Sequence, residues 1–261
     1  MSHFFTGIIL PKSFSPSAKG NFTKTHLKNI REYVASVLGP YDENMDVPGY
    51  EVTCDCIESK ASNLASDARD REFGSIDQIR KKFFNDHPEW KDPASYGEGE
   101  GEKCDEAWQA RIRPMIEFEE KEKALQLTKV KPDVECEYCR GTGKRVSTYN
   151  PKSKWDWWVI GGRWDGMIQG DYRESEDNGF NFGDDHHQLK YNISSVPSLL
   201  KHPNSIPFAL VLPDGEWAEK GEMGWWGMVS NEKKRTDWES QVVELLTKYA
   251  DHYIVGCDLH I

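Results

Sequence analysis

The chain has 261 residues, of which 37% are hydrophobic, enough for the core of one domain with insertions or of two small domains. Its formal net charge of -11 argues against attraction to nucleic-acid phosphates or anionic membranes, so we expect neither as a direct partner. No run approaches the ~20 apolar residues of a membrane span, no secretory signal is present, and six cysteines are too few for a disulfide scaffold, so we expect a cytoplasmic protein.

The first sixty residues predict a β-α-β unit. Residues 4–10 (FFTGIIL) are a continuous apolar run, which is typical of a buried strand. Residues 23–38 place apolar side chains at helical spacing, and Gly39-Pro40 predicts the end of that helix because proline cannot continue it. Residues 50–58 (YEVTCDCIE) alternate between apolar and polar side chains and therefore predict a second strand.

Residues 60–144 are more polar and charged, and they predict a helical insertion into a core formed by residues 1–59 and 145–261. Helices are expected over residues 75–85 and 105–127, separated by a loop that contains the run GEGEGE. The insertion is either a solvated charged arm or a surface that contacts a partner.

The C-terminal half returns to β-strand character. It predicts a strand and turn at residues 155–164, a loop at 171–187, a buried strand at 207–212, a strand pair near 217 and 223–227, a helix at 236–249 and a closing strand at 253–261. Together the two halves predict an α+β fold. We expect an antiparallel sheet with helices on one face, built from ferredoxin-like β-α-β halves, with the helical insertion added.

Four of the cysteines form two close pairs. Cys136 and Cys139 belong to a C-x-x-C-x-G-x-G motif, which resembles one half of the cysteine-rich zinc repeats of J-domain chaperones. A structural zinc site needs four ligands, and Cys54 and Cys56 are the nearest second pair. We expect a zinc site made by all four at the base of the insertion. The competing interpretation is that strand alternation sends both sulfurs of Cys54-Asp-Cys56 into one core position.

The segment NPKSKWDWWVIGGRWDG (residues 150–166) begins a region that holds eight of the ten tryptophans. Clustered indoles either fill a core or form a platform on which a ligand ring stacks. We expect a mixture, with Trp157 or Trp158 buried and other indoles lining a groove. The expected ligand-binding residues are Arg163, Trp155, Trp164, Trp225 and Lys154. The alternative for Arg163 is an internal ion pair with Asp156 or Asp165.

Other ionisable side chains give weaker signals for a site. Asp258 and His260 share a face of the closing strand. They form either a catalytic base with the carboxylate that orients it or a structural hydrogen bond. His186-His187 are adjacent, and adjacent residues rarely bind one metal ion. No nucleophile elbow, P-loop, H-E-x-x-H or dinucleotide fingerprint occurs, so the sequence favours a protein that is not an enzyme.

Several motifs together resemble a family of uncharacterised bacteriophage and prophage proteins. They are PYDEN at 40–44, CxxCxGTG at 136–143, NPxSKWDWWxIGGRW at 150–164 and MGWWG at 223–227. The resemblance spans most of the chain. It implies a phage or mobile-element origin and, by analogy, an accessory role against host machinery.

Two functional hypotheses follow. The first is a phage-encoded acidic protein that binds and inhibits a host factor, such as a nucleic-acid-processing or defence protein, for instance as an anti-CRISPR inhibitor. The second is a nucleotide-binding protein, either a sponge or a hydrolase, with its pocket at Arg163 and the neighbouring tryptophans. A third hypothesis is a role in virion assembly. If the protein does not bind a basic partner, its acidic charge serves solubility alone.

Overall fold

The structure is a computed structural model that describes residues 2–16, 22–97, 99–170, 189–202, 205–224 and 229–261. The chain divides into two compact units. We call Met1–Val47 with Tyr149–Ile261 the sheet unit, and Pro48–Thr148 the helical unit. The expected loop at 171–187, the pair His186-His187 and the tryptophans of MGWWG lie outside the described residues.

The elements are numbered in chain order over the described residues. The strands are β1 (His3–Ile9), β2 (Tyr50–Thr53), β3 (Lys144–Ser147), β4 (Trp157–Ile160), β5 (Ile193–Ser195), β6 (Ala209–Val211), β7 (Trp217–Glu219), β8 (Glu222–Met223), β9 (Val229–Ser230) and β10 (Tyr253–His260). The α-helices are α1 (Lys24–Leu38), α2 (Asp55–Phe73), α3 (Ile76–Asp86), α4 (Glu100–Lys129), α5 (Val196–Leu199) and α6 (Arg235–Lys248). None of these helices combines the length and the apolar character needed to cross a membrane.

The sheet unit is built around β1 and β10, which run antiparallel from the pair His3 and His260 to the pair Ile9 and Ile254. The strand order is β4-β10-β1-β6-β7, and β5 also pairs with β10. All neighbours are antiparallel except β1 and β6, which are parallel. The α+β class and the mostly antiparallel sheet are therefore confirmed. The expected first β-α-β half is not, because the predicted strand at residues 50–58 does not join this sheet and β6 lies beside β1 instead.

The helices pack on both faces of this sheet, so the expectation of helices on one face is wrong. Phe4, Ile8 and Leu10 pack with α1. Phe5 and Ile9 pack with α6 on the opposite face. The physical reason is visible in the apolar run of β1, because a strand covered on both faces has no polar side and its residues after His3 are all buried.

The helical unit contains α2, α3, α4 and a two-stranded antiparallel sheet of β2 and β3. The predicted strand over residues 50–58 ends at Thr53 and pairs with β3, so it is not part of the main sheet. Cys54 is the N-cap residue of α2. The helix was missed because its buried positions Ile57, Ala61 and Ala65 are mostly small, and they give a weak amphipathic pattern. The expected helices over 75–85 and 105–127 are confirmed as α3 and α4.

Candidate metal centre

The four cysteines predicted as ligands converge at one place in the helical unit. The sulfur atoms of Cys54, Cys56, Cys136 and Cys139 all lie within 4.8 Å of one another. The Sγ atoms of Cys54 and Cys136 are 3.6 Å apart, and so are those of Cys56 and Cys139. Tetrahedral bonds of ~2.3 Å to zinc would place sulfurs about 3.8 Å apart. All four thiols are free, at separations too long for the ~2.05 Å of a disulfide.

One half of the cluster is built on the start of α2. Cys54 caps this helix and Cys56 lies in its first turn. The N–H of Cys54 donates to the carbonyl oxygen of Gly143 at 2.9 Å, which ties the helix start to the loop that carries the other two thiols. The partial positive charge of a helix N-terminus also favours thiolates at this position. The strand alternation assumed for Cys54-Asp-Cys56 is therefore wrong, although the expected grouping of sulfurs holds.

The other half of the cluster is a tight turn in the C-x-x-C-x-G-x-G motif. The N–H of Arg140 donates to the carbonyl of Cys136 at 2.8 Å, and the N–H of Thr142 donates to that of Cys139 at 2.9 Å. Gly141 and Gly143 have φ angles of 83° and 77°, which residues with a side chain rarely adopt. A Cβ atom on Gly143 would lie 2.8 Å from Ile57 Cδ1. The second glycine of the motif is therefore required by both its φ angle and its surroundings.

The surroundings of the cluster shift the pKa values of two of its thiols in opposite directions. Burial would raise the pKa of Cys139, but the backbone N–H groups of Gly143 and Gly141 donate to its sulfur and lower the pKa to about 7. At Cys54 the backbone N–H of Cys56 lowers the pKa, while burial and the neighbouring thiols outweigh it and raise the pKa to about 12. A bound cation would favour the thiolate form of all four and would release their remaining protons.

The donor set fits a soft or borderline metal ion. Four thiolates in tetrahedral array select zinc or iron–sulfur chemistry, whereas calcium and magnesium prefer oxygen ligands. No other group of three or more metal-binding side chains occurs among the described residues. The four cysteines can therefore hold a metal ion as a closed site, with no position left open for a substrate.

Two of the predicted ligand-binding residues instead serve the fold of the sheet unit. Trp155 is buried, and its indole N–H donates to the carbonyl of Leu38 at 3.0 Å. Lys154 forms an ion pair of 2.6 Å with Glu219, and both side chains are largely buried. These two side chains are committed to internal contacts, so neither is available to line a binding groove.

The other three predicted ligand-binding residues have different positions. Trp164 lines a groove on the α6 face of the sheet, and Arg163 is exposed. The guanidinium of Arg163 has no ion pair or hydrogen bond with the described residues, so the expected partners Asp156 and Asp165 do not engage it there. Trp225 lies outside the described residues. Trp157 and Trp158 are both half-buried.

Asp258 and His260 do not bond to each other. Nδ1 of His3 donates to Asp258 at 3.0 Å, and Nδ1 of His260 donates to Asp156 at 2.5 Å. The two imidazoles meet edge to face with ring centroids 4.9 Å apart. His3 was missed because the sequence alone does not show that β1 and β10 pair in the register that places His3 opposite His260.

Comparisons with known proteins add no relatives. No protein-family model matches the chain, and neither does any curated protein or solved structure.

The Gly143→Ala substitution tests the glycine of the metal-binding turn. We expect the free energy of unfolding of the helical unit to fall by about 2–5 kcal/mol, because alanine adds a strained φ angle and a clash with Ile57. Gly99→Ala is the matched control, since Gly99 has a φ of 74° with open space around it, and we expect a loss of only about 1–2 kcal/mol. Hydrogen exchange of the α2 amides measures both losses, and equal losses would contradict the proposed packing.

Proposed function

We propose that the protein binds one zinc ion at Cys54, Cys56, Cys136 and Cys139, and that this ion stabilises the fold of the helical unit. The observation that supports the proposal is the convergence of four free sulfurs within 4.8 Å, from segments about eighty residues apart in the chain. The chemistry is structural, because four protein ligands complete the coordination of zinc.

The small core of the helical unit supports this role for a metal ion. The unit spans 101 residues, and several of its buried apolar side chains are alanine or cysteine. The buried apolar residues of its described part are Cys54, Ile57, Ala61, Ala65, Ile79, Phe83, Cys104, Met115 and Cys139. Small domains with little apolar burial commonly depend on metals or disulfides for stability.

We propose further that the helical unit binds a host protein and inhibits it, which is the anti-defence role suggested by the resemblance to phage proteins. Ile116, Leu125 and Leu127 are exposed apolar side chains of α4, and exposed apolar side chains are typical anchors of an interface. The acidic charge is shared between the units, because residues 48–148 hold 22 acidic and 17 basic residues out of a total net charge of -11. Local acidic residues on α4, rather than the net charge of the unit, would therefore meet a basic partner.

Elemental analysis of the purified full chain tests the zinc proposal. We expect about one zinc per chain, loss of zinc in Cys136→Ser, and retention in Cys104→Ser, which alters a buried thiol of the same unit outside the cluster. Removal of zinc by a chelator should increase hydrogen exchange in α2 and α4 and leave exchange in β1 and β10 unchanged. Less than about half an equivalent of zinc in the wild-type chain would refute the proposal.

Charge reversal on α4 tests the proposed interface. Glu117 and Glu120 are exposed, and we expect the double variant Glu117→Lys/Glu120→Lys to lose binding to a partner captured from a bacterial host lysate. The complex should also weaken as salt rises, because surface charges are screened. Glu32→Lys/Glu244→Lys makes the same change of charge on the sheet unit and should bind normally. Equal loss in both double variants would contradict an interface on the helical unit.

A further inference from the structure

The sheet unit contains a groove that neither the zinc site nor the proposed interface uses. It has a volume of about 400 Å³ and lies on the face of the sheet that packs against α6. Its apolar walls include Phe5, Trp164, Phe208, Met223 and Trp238. Clefts of roughly 300–1,000 Å³ with mostly apolar and aromatic walls are the common form of small-molecule sites.

One side chain that lines this groove, Trp164, has a buried ring nitrogen, Nε1, without a hydrogen-bond partner among the described residues. Nε2 of His260, whose imidazole contacts that of the groove residue His3, also lacks a partner there. An indole N–H can only donate, and a buried donor without an acceptor is costly, so native proteins nearly always satisfy one. A ligand with an acceptor atom on a flat ring would satisfy Trp164 and would also contact the aromatic walls.

A buried carboxylate fixes one polar end of the groove. Asp258 is fully buried and accepts two hydrogen bonds of 3.0 Å, from Nδ1 of His3 and from the backbone N–H of Arg163. Because Asp258 occupies Nδ1 of His3, the other ring nitrogen of this groove-lining histidine is left for a ligand. The imidazole of His260, held in turn by Asp156, supports His3 from the side.

Arg163 directly precedes Trp164, one of the residues that line the groove. Its backbone is bonded to the carboxylate that holds His3, and its exposed guanidinium has no partner among the described residues. A guanidinium forms paired hydrogen bonds with phosphate oxygens. Asp258 thus links the backbone of Arg163 to His3, which lines the groove.

From these contacts we propose that the groove binds a nucleoside that carries a single phosphate group. The base lies against the aromatic walls with an acceptor atom on Nε1 of Trp164, and the phosphate lies between Arg163 and His3. This site differs from the pocket predicted from the sequence, because Trp155 and Lys154 are not part of it. It is also independent of the zinc centre and of the interface on α4.

The charges around the groove favour one phosphate over several. Lys220 and Arg235 line the groove, but Lys220 is paired with Glu232 at 2.6 Å and Arg235 with Glu239 at 2.7 Å. Glu239 also faces the groove, and the whole chain has a net charge of -11. A triphosphate would bring several negative charges into these acidic surroundings, where only Arg163 and His3 would contact them.

Isothermal titration calorimetry with the full chain tests the site. The probes are nucleoside monophosphates, dinucleoside monophosphates, nucleoside triphosphates, uncharged nucleosides and inorganic phosphate. We expect a monoester or a diester to bind more tightly than all three other probes, and whichever of the two binds more tightly identifies the form of the phosphate. Equal affinity for uncharged nucleosides or for inorganic phosphate would overturn the proposal, as would no binding of either ester at millimolar concentration.

Three variants locate the bound nucleotide. We expect Arg163→Ala and His3→Gln each to weaken binding by about tenfold, since the first removes the guanidinium and the second removes the imidazole, while glutamine can still donate to Asp258. Trp164→Phe keeps an aromatic wall without the N–H, and we expect a loss of about threefold. Arg113→Ala removes an exposed guanidinium of the helical unit and should leave affinity unchanged. Wild-type affinity in Arg163→Ala and in folded His3→Gln would overturn the proposal.

Discussion

Four sulfur atoms bring the start of α2 close to the loop that follows α4, and we propose that a metal ion bound at this junction holds the helical unit together. Cys54 and Cys56 come from one side of the junction and Cys136 and Cys139 from the other, so a metal ion bound there closes a loop of about eighty residues. Closing a loop of that length removes much conformational freedom from the unfolded chain. The antiparallel pairing of β2 with β3 and the bond from Cys54 N–H to the carbonyl of Gly143 lie beside the same junction.

The grouping of the four cysteines could be predicted from the sequence, and the local structure of Cys54 and Cys56 could not. The C-x-x-C-x-G-x-G motif needs only local geometry, because its glycines set the turn at Cys139. The placement of Cys54 and Cys56 rested on a predicted strand, whereas both residues belong to the start of a helix. Residues 50–58 alternate between apolar and polar side chains, which is typical of a strand. The helix that follows has only a weak amphipathic pattern, because its buried residues Ala61 and Ala65 are small.

In the sheet unit, apolar runs predicted the strands but not the neighbours of each side chain. β1, β6 and β10 agree with the expected segments because each is buried on both faces and therefore consists mostly of apolar residues. The role of Trp155 could not be predicted in this way, because its indole N–H donates to a carbonyl 117 residues away in the chain. The pairing of His3 with Asp258 joins the first strand to the last, and it becomes visible only when their register is known.

The two units divide the chemistry of the protein between them. The helical unit carries the thiol cluster and the exposed apolar residues of α4, and the sheet unit carries the aromatic groove with His3, Arg163 and Trp164. The cluster has no open ligand position, so a structural zinc ion would support binding by the helical unit rather than take part in a reaction.

X-ray absorption spectroscopy at the zinc edge measures the identity and distance of the ligands of a bound zinc ion. A closed site made by all four cysteines predicts four sulfur neighbours at ~2.3 Å and no nitrogen or oxygen in the first coordination sphere. A spectrum fitted by two or three sulfurs with nitrogen or oxygen ligands would show that the four cysteines do not form one closed zinc site.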